Sequence, residues 1–237
     1  MLSIQTLSTT NRILSALPSK DREHLLRYCE PINLLYAEVI YLAGEPIPHV
    51  YFPTESFISL LTPNIGNKGL EVGLIGNEGM LGITLALNID VAPFQALVQG
   101  TGAALRITAS SFIRELKQSQ ALQQELNRYL YISMSQIAQT AICTRHHQVE
   151  SRLARRLLMA HDRAHADDFY ITHLYLAYIL GVRRCGITKA ATTLQQKNLI
   201  SYRRGNIKIL NRAGLEAAAC SCYQTEKEAY QRILTSV

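Results

Sequence analysis

Between Thr172 and Leu210 the apolar positions follow one periodicity, stop at a single glycine, resume, and then change period altogether. Few folds accept such a stretch. The first run extends from Thr172, a good helix N-cap type, to Leu180, and Gly181 stands where the chain must turn with no Cβ in the way. Ala177, four residues before that glycine, and Ile187 and Ala190, six and nine after it, have the spacing by which two crossed helices pack in a helix-turn-helix. Residues 199–210 then alternate around Arg203-Arg204-Gly205-Asn206, which predicts two short strands and a tight turn that lifts two arginines to its tip. A plain surface helix pair with a solvated hairpin would explain the amphipathicity, but not the Ala/Gly/Ile spacing or the basic tip.

On the second helix Ile187, Ala190, Ala191 and Leu194 recur at three-to-four spacing and face inward. Cys185, Thr188, Lys189 and Thr192 then point outward, with Arg183 and Arg184 at the N-terminal edge. A short, polar, basic face suits the major groove of duplex DNA, because Arg and Lys reach guanine edges or phosphates and Thr can bond either or touch a thymine methyl. Arg203 and Arg204 would meet the adjoining phosphates. Thr172 and His173 complete the candidate DNA-contacting set. Charge is placed to match: residues 145–212 hold 13 Lys and Arg against 4 Asp and Glu, a balance of +9 in a chain whose total is only +6. No basic helix with bulky membrane anchors accompanies that excess.

At 237 residues and 48% hydrophobic the chain can bury a sizeable core. No basic leader followed by an apolar run begins it, and no uncharged apolar stretch reaches about 18 residues, so a cytoplasmic setting is expected. Five scattered cysteines (29, 143, 185, 220 and 222) fit free structural thiols in a reducing compartment.

After a helical stretch from Asn11 to Tyr28, residues 32–107 show brief apolar runs broken by Gly, Pro and Asn: 39–42, 50–52, 57–61, 71–75, 96–98 and 103–107. These predict the short strands of a jelly-roll-like β-roll. Glycines at 66, 69, 73, 76, 79 and 82 lack the strand-to-helix context of a dinucleotide loop and are expected to serve tight turns. From Ser110 to Thr144 neither Gly nor Pro occurs, and Leu126, Leu130, Met134, Ile137 and Ala141 step along one seam begun by Leu122. Tyr129, Ile132, Ala138 and Ile142 form a second apolar face. One face is expected to dock inside and the other to meet a second copy, giving a homodimer whose two heads reach half-sites about 34 Å apart.

The order is thus β-roll, long helix, helix-turn-helix and basic hairpin, an α+β chain divided as 1–116, 117–146, 147–215 and a helical tail at 216–237. With LAGEPIPHVYFP (42–53), LIGNEGMLG (74–82), RHHQVESRLARRLLMAHDR (145–163) and LGVRRCGITKAATTLQQKNLISYRRGNIKI (180–209), it resembles the Crp/Fnr family of bacterial transcription regulators. The resemblance implies an effector-sensing, cyclic-nucleotide-binding-like domain, a dimerisation helix, and a winged head that acts on RNA polymerase at promoters. It places Arg184, Cys185 and Lys189 at base-reading positions and His173 near a phosphate. Cys185 stands where many members carry an acidic or hydroxyl residue.

The sensor departs from nucleotide-binding members, which carry a Gly-Glu pair for the ribose and an Arg-Ser/Thr-Ala triplet for the cyclic phosphate. Gly76, Asn77-Glu78-Gly79 and Phe94-Gln95-Ala96 occupy those places here, so no guanidinium meets a phosphate and Phe94 offers an apolar wall. Tight binding of cyclic AMP or GMP is not expected. Nor is an Fe–S cluster, since only Cys29 lies within the first 140 residues. Cys143, His146 and His147 at the hinge, the pair His161 and His165, and Cys220 with Cys222 are weighed as zinc or haem ligands; the resemblance implies a similar Arg-His-x-x-x-Glu run at the hinge with no metal role, and Cys220 with Cys222 has no partner ligands nearby, so no metal or cofactor is expected. No nucleophile elbow, Walker loop or His-Glu-x-x-His marks an enzyme, and Asp167-Asp168 reads as a solvated linker. The alternative to a sequence-specific regulator is an architectural or adaptor protein using the head for indifferent contacts.

Overall fold

Pro18 splits the N-terminal helical stretch in two, because it cannot continue the turn before it. Helix α1 (Arg12–Ala16) is capped by the Asn11 side chain, and α2 (Ser19–Leu26) follows. The computed structural model describes residues 11–62, 69–164 and 166–234. Gly66 and His165 lie outside them.

Seven strands build the roll: β1 (Glu30–Leu34), β2 (Val39–Tyr41), β3 (His49–Pro53), β4 (Phe57–Leu61), β5 (Glu71–Ile75), β6 (Gln95–Gly100) and β7 (Gly102–Thr108). They form two antiparallel sheets, ordered β1-β7-β3 and β2-β6-β4-β5. The six apolar runs all become strands. β1 escapes a pattern reading because its sequence, EPINL, contains Pro31 and buries only Leu34. As an edge strand it tolerates the proline. Val50, Phe52, Ile58, Val98 and Ile107 fill the space between the sheets, together with Phe112 of α3 (Ala109–Gln118).

Helix α4 (Gln120–His146) starts at Ser119, whose hydroxyl accepts from the Leu122 amide. Its first half completes the roll, with Leu122, Leu126, Tyr129 and Ile132 buried. This corrects the seam read from sequence. Leu126 lies in the sensor core and Leu130 is half-buried, whereas Met134, Ile137 and Ala141 are exposed together with Tyr131, Ala138 and Ile142. The buried face of α4 runs instead through Tyr129, Ile132, Gln136 and Cys143, so the stripe counted from Leu126 leaves the core where the roll ends.

The C-terminal region runs α5 (Val149–Ala164), β8 (Asp168–Tyr170), α6 (His173–Ile179), α7 (Arg184–Gln196), β9 (Ile200–Arg203), β10 (Asn206–Ile209), α8 (Arg212–Ala218) and α9 (Cys222–Leu234). β8, β10 and β9 pair antiparallel in that order, so Asp168 opens a strand and is not part of a linker. α9 lies along α4. One hydrophobic cluster joins Phe57, Leu61 and Leu74 of the roll to Leu157, Leu176, Ile187 and Leu194 of the head.

Buried ion pairs cross the same junction. Arg156 of α5 bonds Glu71 through Nε and Nη2, and Arg163 holds Glu78, with Nη2 2.7 Å from Oε1. Arg155 pairs with Glu226 of α9 at 2.8 Å. These arginines, and the equally buried Arg152, belong to the basic excess counted from sequence but not to the protein surface. Gly76 is also explained by this junction: it has no positive φ, and a Cβ there would lie 2.7 Å from the Arg163 Cγ. Gly73 lies in β5 and is a site of close approach by α4; Gly79 closes the turn after β5, its amide donating to the Gly76 carbonyl, and also meets the Tyr129 ring of α4, whereas Gly82, at φ 96°, requires the left-handed region.

Candidate nucleic-acid interface

Helix α6 begins at Thr172, whose hydroxyl accepts from the Tyr175 amide, and ends before Gly181, which takes φ 62°. The Val182 amide then donates to the Ala177 carbonyl, tying the turn to the small residue that lets the helices cross. α7 packs Ile187, Ala190, Ala191 and Leu194 inward as the spacing requires. Arg183, Arg184, Cys185, Thr188, Lys189 and Thr192 are exposed and form one continuous face.

The hairpin turns through Arg204 (φ 51°) and Gly205 (φ 91°), a pair of positive values that matches the right-handed twist of two-residue hairpins. Arg203 and Arg204 are exposed at the tip. Tyr170 of β8 covers Gly205, and its ring meets Tyr36 of the roll edge-on at 5.7 Å.

Two of the sequence candidates, Thr172 and His173, also make contacts within the head. The Thr172 hydroxyl is spent on capping. His173 stacks on Tyr202 with ring centres 4.1 Å apart, its Nδ1 sits 3.2 Å from the Thr188 hydroxyl, and its Nε2 is buried without a partner. A ring held this way braces the recognition helix against the wing. Burial first, and the Arg184 charge second, lower its pKa from the ordinary imidazole value. Tyr202 was not singled out from sequence, although it also accepts from the His173 amide and is anchored through its own amide by Gln195. Its place opposite Ile207 in the wing was the available signal.

In the sensor, a cavity of about 140 Å³ lies between the roll and α4, lined by Tyr41, Leu60, Met80, Phe94 and Met134 among others. Phe94 is the one residue of the predicted effector set on its wall; Gly76, Glu78, Gly79 and Gln95 are elsewhere. Glu78 is turned toward α5 instead, where its Oε1 accepts from Arg163 and from the Gly76 amide at 3.1 Å. No Lys, Arg or His lines the cavity among the described residues.

A two-layer β-roll, a long helix and a three-stranded winged helix-turn-helix define the architectural class. Residues 151–218 match the family of Crp-like helix-turn-helix domains. The chain therefore carries a Crp-like helix-turn-helix domain over those residues, and over most of its length its fold is similar to that of solved structures from the Crp/Fnr family. Similar solved structures include a Crp/Fnr-family transcriptional regulator from Eubacterium rectale (TM-score 0.67, 15% identity, 87% of this chain and 96% of that one). FixK2 from Bradyrhizobium japonicum (TM-score 0.68, 14% identity, 81% and 98%) is another. The c-di-GMP-responsive global regulator CLP from Xanthomonas campestris is similar too (TM-score 0.65, 15% identity, 81% and 99%). No curated protein matches the sequence. Among the described residues no helix is long and apolar enough to cross a membrane.

Proposed function

We propose that the protein is a sequence-specific transcription regulator that binds a palindromic duplex site as a homodimer and addresses RNA polymerase there. The observation that carries this reading is the exposed Arg183/Arg184/Cys185/Thr188/Lys189/Thr192 face of α7, flanked by the arginine-tipped wing. Dimerisation is supported by the α4 stripe of Tyr131, Met134, Ile137 and Ile142, from 37% to 65% exposed and too apolar to leave in water at no cost. Two copies joined there bring two heads to one face of a duplex.

Cyclic nucleotides do not act as effectors in this reading. The cavity that would take one has no cation for the phosphate among the described residues, and the glutamate that would take the ribose is bound to Arg163. A signal works by changing how the head docks on the roll, so that affinity for DNA shifts by the difference in binding energy between docked and released states.

Footprinting on genomic fragments is the deciding experiment. A protected palindrome is the expected result; binding that is weak and equal on all fragments supports an adaptor role instead. Calorimetry with cyclic AMP should give no saturation in the micromolar range.

A further inference from the structure

Three cysteines form a small cluster of their own, apart from the two large apolar cores: Cys143, Cys220 and Cys222, each less than 7% exposed. His147 joins them. One ligand atom from each of the four residues lies within 4.8 Å of every other. Cys143 Sγ is 3.5 Å from Cys220 Sγ, and Cys222 Sγ is 3.4 Å from His147 Nδ1. We propose that Cys143, His147, Cys220 and Cys222 form a closed, tetrahedral Cys3His site for one zinc ion.

The distances fit the ion. Zinc–sulfur bonds of about 2.3 Å and zinc–nitrogen bonds of about 2.0 Å give tetrahedral edges of about 3.5–3.8 Å between ligand atoms. The cluster is close to that size before any ion draws it together. An iron–sulfur cluster, with its bridging sulfides, would hold its protein ligands further apart than this group allows. Four protein ligands also leave no open coordination position, so the site is structural and not catalytic.

Charge agrees independently. Three thiolates and a neutral imidazole around Zn²⁺ leave one negative charge, and the buried guanidiniums of Arg152 and Arg155 line one pocket with Cys143. Arg155 already has Glu226, but Arg152 pairs with no carboxylate among the described residues; its protein acceptor is the Leu180 carbonyl. A buried, uncompensated guanidinium is costly, and an anionic metal centre beside it removes that cost.

Placement gives the site a role. Cys143 stands in the last turn of α4 and His147 caps its end, where the stem meets the head, while Cys220 lies on the link between α8 and α9 and Cys222 opens α9. One ion therefore ties the hinge to the C-terminal segment and sets the angle at which the head leaves the stem. In the sequence these residues stand as separate groups, because Cys143 and Cys220 are 77 positions apart.

The test is a Co²⁺ titration of the full chain, reduced and stripped with a chelator. One equivalent should produce a sulfur-to-cobalt charge-transfer band in the near-ultraviolet and intense tetrahedral d–d bands in the red, both bleached by Zn²⁺. Cys143→Ser and Cys220→Ser should lose most of the charge-transfer intensity, Cys29→Ser and Cys185→Ser none. Cys222→His keeps a ligand and should keep the tetrahedral bands while weakening charge transfer, which separates a ligand from a merely buried thiol. Pale, octahedral cobalt with no charge-transfer band in the wild-type chain, or a spectrum unchanged in Cys143→Ser, overturns the proposal.

Discussion

Arg163 on α5 and Glu78 in the turn after β5 face each other inside the protein, the guanidinium Nη2 2.7 Å and Nε 2.8 Å from one carboxylate oxygen. Each is under 8% exposed. Arg163→Ala should leave a buried carboxylate unpaired and cost about 3–5 kcal/mol in denaturant unfolding. Arg163→Met combined with Glu78→Leu should cost much less than the sum of the two single changes. If the double variant is as unstable as that sum, the pair is not acting as a coupled unit.

Base reading and phosphate contact separate by salt dependence. Arg184→Ala should weaken the specific site by about 1–3 kcal/mol and relax discrimination there. Arg203→Ala or Arg204→Ala should weaken all duplexes alike and lower the slope of log affinity against log salt by about one unit each. Fluorescence anisotropy at several salt concentrations distinguishes them; equal behaviour of all three would place the recognition face elsewhere.

The two halves of α4 should answer differently to substitution. Met134→Glu with Ile142→Glu, at positions 65% and 51% exposed, should convert a dimer to a monomer in sedimentation without loss of the fold. Leu126→Ala should instead destabilise each subunit by about 2–5 kcal/mol, because that side chain is fully buried in the roll. A monomeric wild-type protein at micromolar concentration would remove the basis for the outer stripe.

How legible these features were in the sequence follows from how local they are. The helix-turn-helix and its wing were readable because Ala177, Gly181, Ile187 and the Arg203–Asn206 turn define themselves within forty residues. The roll's strands were readable for the same reason, β1 excepted. Features that join distant segments were not. Nothing near Glu78 announces Arg163, which comes 85 residues later, and Gly76 reads only as the start of a turn, its close approach to that arginine being invisible in the local sequence. The α4 stripe was found, but its inward and outward halves depend on how far the roll climbs the helix.

His173 offers a pH test. Its pKa is lowered by burial and then by Arg184, so the folded protein binds fewer protons than the unfolded chain as pH falls below about 6.5. This contribution to stability is intact above that pH and is lost as pH drops through the folded value. Imidazole resonances should titrate below the ordinary range for His173, and in Arg184→Ala move back toward it. A wild-type value at or above about 6.5 would contradict the stacked, half-buried geometry.

Because Phe57, Leu61 and Leu74 of the roll share one apolar cluster with Leu157, Leu176 and Ile187, dissecting this chain at the hinge leaves a wound on both pieces. A fragment beginning at Val149 would bare oily surface that the intact molecule covers, and so should self-associate or cling to unrelated proteins. Studies of DNA recognition are therefore best done on the whole polypeptide, where the reading head keeps its neighbour.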